Sequence, residues 1–191
     1  MRATAIVIAL FLVTLVIGLS FVATMARADH DDHGDHGDNE ADWVAVLRGK
    51  FEAPVPRETR AHGIAMFAMN DDGTLSFTLI VRRISNVVAA HIHCGAPGIA
   101  GPVGVTLFHG EPGGGPFRGV LASGTISTPD DGNKCSWTSL ADVAAAVAAG
   151  NAYVNVHTND GVDPANTGPG DFPGGEIRGQ LRIEDSDSES D

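Results

Sequence analysis

From about Trp43 to Ile183 the chain alternates short apolar runs with clusters of Gly, Pro, Asn and Asp, and the runs follow a period of two. The clearest case is the segment in which Leu75, Phe77, Leu79 and Val81 alternate with Ser76, Thr78 and Ile80. Successive side chains of a strand point to opposite faces, so this pattern predicts one strongly buried face. Residues 64–69, the turn Asn70-Asp71-Asp72-Gly73 and residues 74–81 then predict a hairpin. Residues 43–51, 87–94, 104–108, 119–126, 152–157 and 176–183 are further predicted strands. About eight strands with frequent turns predict an all-β fold, an antiparallel immunoglobulin-like or Greek-key sandwich or barrel. One short helix interrupts them. Ser139 caps residues 140–149, Asp142 completes a capping box, and Gly150 ends the helix. Leu140, Val143 and Val147 give it a narrow apolar stripe, expected to cover an end or an edge of the sheet.

The ends follow neither pattern. Met1-Arg2, an apolar run over residues 3–23 and Ala26-Arg27-Ala28 predict a signal peptide over residues 1–28, cleaved before Asp29. The run approaches bilayer length, so an uncleaved anchor is the alternative. Residues 29–42 are rich in His and Asp and residues 184–191 are acidic, and with almost nothing apolar to bury both are expected to be disordered. The folded domain is therefore expected over residues 43–183.

The formal charge of −12 sits largely in these ends, and none of the twelve Lys and Arg cluster into a basic face along the chain. Nucleic acid is a poor partner on those grounds, and a metal ion or an extracellular or envelope protein a better one. The membrane enters only through an uncleaved leader. Two cysteines, Cys94 and Cys135, predict one disulfide in an exported chain. Together these features predict a secreted, periplasmic or cell-envelope location.

Candidate chemistry centres on histidine. His91 and His93 flank Ile92 in a predicted strand and share a face, about 6.5 to 7 Å apart. His157 shares a face with Tyr153 and Asn155 in another strand and meets the first pair only if the two strands are neighbours. Three neutral imidazoles at one point suit copper or zinc. The alternative is a set of polar residues on a solvated sheet face. His62 and His109 are weaker ligand candidates, and His30, His33 and His36 of the tail could gather metal loosely. Asn159 to Asp163 lacks the spacing of a calcium loop and reads as a turn. Hydrolase, phosphate-loop and nucleotide-binding signatures do not emerge.

Three segments carry a resemblance to a known family: Ala89-Ala90-His91-Ile92-His93-Cys94-Gly95-Ala96-Pro97-Gly98, then Gly150-Asn151-Ala152-Tyr153-Val154-Asn155-Val156-His157-Thr158, then Pro173-Gly174-Gly175-Glu176-Ile177-Arg178-Gly179-Gln180-Leu181. They resemble the chordin-type (CHRD) domain over nearly the whole folded part. The resemblance implies an extracellular or cell-envelope β domain and does not imply an enzymatic activity; a binding or envelope module with a metal site is the reading, and a metal-free extracellular protein-interaction domain is an alternative. The growth-factor role of chordin goes with cysteine-rich modules that this chain lacks. A looser similarity is to Cu/Zn superoxide dismutases. It implies a copper-dependent enzyme, with His91, His93 and His157 as copper ligands and Arg178 as an anion-facing residue. The chain departs from that pattern in lacking a bridging histidine and a zinc cluster.

Overall fold

The computed structural model describes residues 42–184. The expected leader, the tail histidines His30, His33 and His36, and residues 185–191 lie outside the described residues. Among the described residues nine strands occur in chain order: β1 (Trp43–Arg48), β2 (His62–Met69), β3 (Leu75–Ser85), β4 (Val87–Cys94), β5 (Val103–His109), β6 (Pro116–Ile126), β7 (Ala152–Thr158), β8 (Ile177–Gln180) and β9 (Arg182–Ile183). Eight of them follow the order β5-β4-β7-β8-β1-β2-β3-β6, all pairs antiparallel, with β9 also on β1. The edge strands β5 and β6 approach each other without pairing, so the sheet is a nearly closed barrel. The all-β expectation holds.

Alternation fills the barrel. Leu47, Ala65, Leu79, Ile92, Val154 and Ile177 point inward and are fully buried. Trp43, Phe67 and Phe77 form an aromatic run at one side, with ring centroids 6.4 and 6.1 Å apart. The predicted hairpin is present, its turn closed by Asn70 N–H to Thr74 O and by Gly73 at φ 79°. The helix α1 (Leu140–Ala148) carries the predicted Ser139/Asp142 capping box, and Leu140, Val143 and Val147 join the core. Gly150 follows at φ 69°.

β3 runs on to Ser85 and β6 begins at Pro116, both longer than expected, and two strands break early. The first ends at Arg48 because the chain enters a 3-10 turn over Gly49–Phe51, where Gly49 O accepts from both Glu52 and Arg57 N–H. The last divides at Leu181: β8 meets β1 only at the pair Arg48 and Arg178, and β9 pairs with Trp43 and Val44 at the other end of β1. Gly179 allows that approach, since a Cβ there would lie 2.5 Å from Val46 O. The cysteines form the Cys94–Cys135 disulfide, tying the end of β4 to the segment before α1.

Candidate metal centre

Strands β4 and β7 are neighbours, in the register Ala89 to His157, His91 to Asn155 and His93 to Tyr153. Ile92, Val154 and Val156 go to the core, so His91, His93, Tyr153, Asn155 and His157 share the outer face. The three imidazoles converge there. One nitrogen from each lies within 4.8 Å of the others, and ring centroids are 5.0 to 5.5 Å apart.

This outer face is not solvated, because three segments fold over it. Residues 95–101 form the first cover. Arg178 donates to Ile99 O at 2.8 Å and Ala96 O at 2.9 Å, Gln180 to Gly95 O at 2.8 Å, and Tyr153 Oη receives Gly101 N–H at 2.9 Å. Only glycine fits at position 101, where a Cβ would lie 1.6 Å from Cys94 O. Residues 168–175 form the second, with Gly175 (φ 123°) placed so that a Cβ would sit 2.5 Å from the Asn155 amide nitrogen. Residues 52–59 form the third: Arg57 Nε donates to Gly175 O at 3.3 Å and Thr59 Oγ1 to Glu176 Oε1 at 2.6 Å. All seven residues of β7 are consequently buried, on both faces.

Buried polar groups need partners, and most here have them. Glu176, with no exposed surface, also accepts from Thr158 Oγ1 and Gly170 N–H at 2.8 Å each. His93 Nδ1 lies 3.0 Å from Gly101 O, and His157 Nδ1 lies 2.9 Å from Pro173 O. A carbonyl only accepts, so both Nδ1 atoms carry the proton. In the neutral ring Nε2 is then a bare lone pair, and the Nε2 atoms of His93 and His157 face each other at 3.4 Å. His91 adds a buried Nδ1 with no partner among the described residues.

The rings are neutral at physiological pH. Burial pushes His93 down to about 4, against the Gly101 carbonyl and helped by His157, His91 and Arg178. Burial, then His157, push His91 to about 4, against Asp130. Burial lowers His157 as well, against the Pro173 carbonyl. Neutral imidazole is the metal-ligating form, and an Nδ1–H held by a backbone carbonyl is the usual outer support of a ligating histidine.

Glu52 lies beside the trio's strand, with Oε2 3.5 Å from Asn155 Nδ2. Burial raises it to about 7, against Arg178 and Arg57. Its Oε1 and Asn155 Oδ1 have no partner among the described residues.

The other candidates fall apart from this centre. His62 is four strands away on the same cross-strand row, with Nδ1 3.0 Å from Arg60 O. His109 is exposed at the end of β5, level with Ala89, and outside the cluster. Arg178 is 2% exposed, stacks on Tyr153 with Cζ 3.4 Å from the ring centroid, and gives its terminal nitrogens to the 95–101 cover. Its guanidinium therefore faces backbone carbonyls. Asn159 and Asp160 each accept from the backbone N–H two residues on, as turn residues do. Sequence reasoning missed Glu52, Glu176 and Thr158. Glu176 at least lay inside the Gly-Gly-Glu-Ile-Arg segment.

A disulfide-bonded, nearly closed antiparallel barrel with a polar layer folded over one side is the class that this architecture defines. A family model for the CHRD domain matches residues 43–181, and the chain belongs to that family. No curated protein and no solved structure matches it.

Proposed function

We propose that this CHRD domain is an exported binding module that holds one transition-metal ion, copper or zinc, between His91, His93 and His157. The observation that carries the reading is the pair of bare Nε2 atoms 3.4 Å apart, each fixed by a carbonyl behind it. Two lone pairs turned toward each other repel unless a cation or a proton is shared between them. Two ligands at about 2.0 to 2.1 Å on a tetrahedral ion stand about 3.3 Å apart, which matches the gap. His91 offers the third nitrogen, and the disulfide fits the oxidising compartment that an exported chain meets.

The family gives an extracellular β module and no reaction. A copper enzyme of superoxide-dismutase type is the sharper alternative, favoured by one observation: His91 is less buried than His93 and His157, which gives the trio an edge toward solvent.

Thermal unfolding with and without Zn²⁺ or Cu²⁺ tests the reading, on a chain whose tail histidines His30, His33 and His36 are replaced by Ala. An ion bound only by the folded state at about 100 times its Kd stabilises by about 2.7 kcal/mol. That gain should vanish in His91→Ala/His93→Ala. An equal gain in both proteins, or none in either, contradicts the site. Superoxide removal measured on the same samples decides the alternative.

A further inference from the structure

The opposite side of the barrel carries an unassigned surface. On β1, β2, β3 and β6 the alternation that fills the core sends an apolar row outward. Val46 pairs with Ile64, Ile64 with Ile80, and Ile80 with Val120. Val46 and Val120 remain 48% and 53% exposed. Parallel to it runs a basic row, in which Arg48 pairs with His62 and His62 with Arg82. A bulge between Val81 and Ile84 then holds Arg83 at φ 54°, and Arg118 on β6 lies opposite that bulge.

Arg83 lines two shallow depressions. One is shared with Glu58 and Arg60, the other with Phe117 and Arg118. Arg48, Arg60, Arg82, Arg83 and Arg118 are all exposed. They are half of the ten Lys and Arg within residues 42–184, gathered in a chain whose net charge is −12. The expectation that these cations form no basic face thus fails in three dimensions, because strand pairing collects residues up to seventy positions apart.

Apart from His62 the members of this row are arginine, whose planar fork matches phosphate and carboxylate oxygens. A soluble polyanion would engage that row and leave the apolar row in water. An anionic bilayer uses both: phosphates take the arginines, and the boundary between headgroups and acyl chains takes Val46 and Val120 with Ile64 and Ile80 between them. We infer that this face docks on the surface of an anionic phospholipid membrane. The inference is independent of the metal site, which lies on the other side of the barrel.

The test is cosedimentation of the chain beginning at Asp29, which keeps every described residue and omits the hydrophobic leader. Vesicles are phosphatidylcholine alone, or phosphatidylcholine mixed equally with phosphatidylglycerol. Binding is expected only to the mixed vesicles and should weaken with salt. At about five-fold per arginine, Arg82→Gln/Arg83→Gln/Arg118→Gln should reduce partitioning about a hundred-fold. Val46→Ser/Val120→Ser should also reduce it, with the melting temperature of each variant checked against the parent. Absence of binding to mixed vesicles overturns the inference, as does unchanged binding by the arginine variant. Capture by soluble dextran sulfate with Val46→Ser/Val120→Ser indifferent would make the face a polyanion site instead.

Discussion

The two outer sides of this barrel follow one rule and end differently. On β4, β7 and β8 the outward residues are polar, and segments 52–59, 95–101 and 168–175 bury them. On β1, β2, β3 and β6 the outward residues include a row of Val and Ile beside a row of Arg and His62, and Val46 and Val120 stay about half exposed. Strand alternation places side chains, but the loops decide whether a face becomes a site. Covering a polar face obliges every group on it to find a partner. Of the four exceptions among the described residues, His91 Nδ1, Glu52 Oε1 and Asn155 Oδ1 gather around the histidine cluster, and Asp171 Oδ1 lies in the 168–175 cover. The uncovered face has water for its polar groups and keeps its apolar row free.

The contrast breaks most sharply at Glu176, which three donors from three segments share. Glu176→Ala leaves all three without an acceptor and should cost about 3 to 5 kcal/mol in urea unfolding. A cost under about 1 kcal/mol would mean that the covering segments are not held by their polar contacts. Gly101→Ala is next. Its Cβ would meet Cys94 O, so a loss of about 3 kcal/mol is expected, with release of the 95–101 cover visible as faster amide exchange there.

Between about pH 6.5 and 4 acid should act through the histidines of the covered side. His91 and His93 titrate near 4 in the fold and near 6.5 in the unfolded chain, so between those values the unfolded chain binds more protons. Stability of the metal-free protein therefore falls as pH drops from about 6.5 to about 4. The loss is a few kcal/mol after discounting for the partial exposure of His91. Glu52, raised to about 7, takes up its proton in the fold first and opposes this trend. Glu52→Gln should steepen the acid loss, and His91→Ala/His93→Ala should flatten it. The smallest effects belong to the bare face: Val46→Thr or Val120→Thr should change stability by less than about 0.5 kcal/mol. A loss above about 1 kcal/mol would show that something covers that face.

How much of this was legible in the chain depends on distance along it. The His91-Ile92-His93 and Tyr153-Val154-Asn155-Val156-His157 alternations state their own faces, and Ser139 with Asp142 states its helix start. Nothing local shows that β4 and β7 pair across some sixty residues, and the convergence of the trio depends on that pairing. Burial of the outer face was equally hidden, since nothing in the Gly- and Pro-rich composition of residues 95–101 and 168–175 says that they fold over a strand. Glu52 had no signal because it stands alone just past the strand expected over residues 43–51, and only the turn at Gly49–Phe51 brings it back beside Asn155. The basic row is the same lesson in reverse: Arg48, the Arg82-Arg83 pair and Arg118 are far apart in sequence and come onto one row of the sheet.

The central claim is that His93, His157 and His91 together hold one ion. Elemental mass spectrometry on the chain with His30, His33 and His36 replaced by Ala, loaded with copper or zinc and then desalted, tests it most directly. About one ion per chain, falling to background in His91→Ala/His93→Ala/His157→Ala, is the predicted result. Background metal in the parent protein, or the same content in the variant, would contradict it.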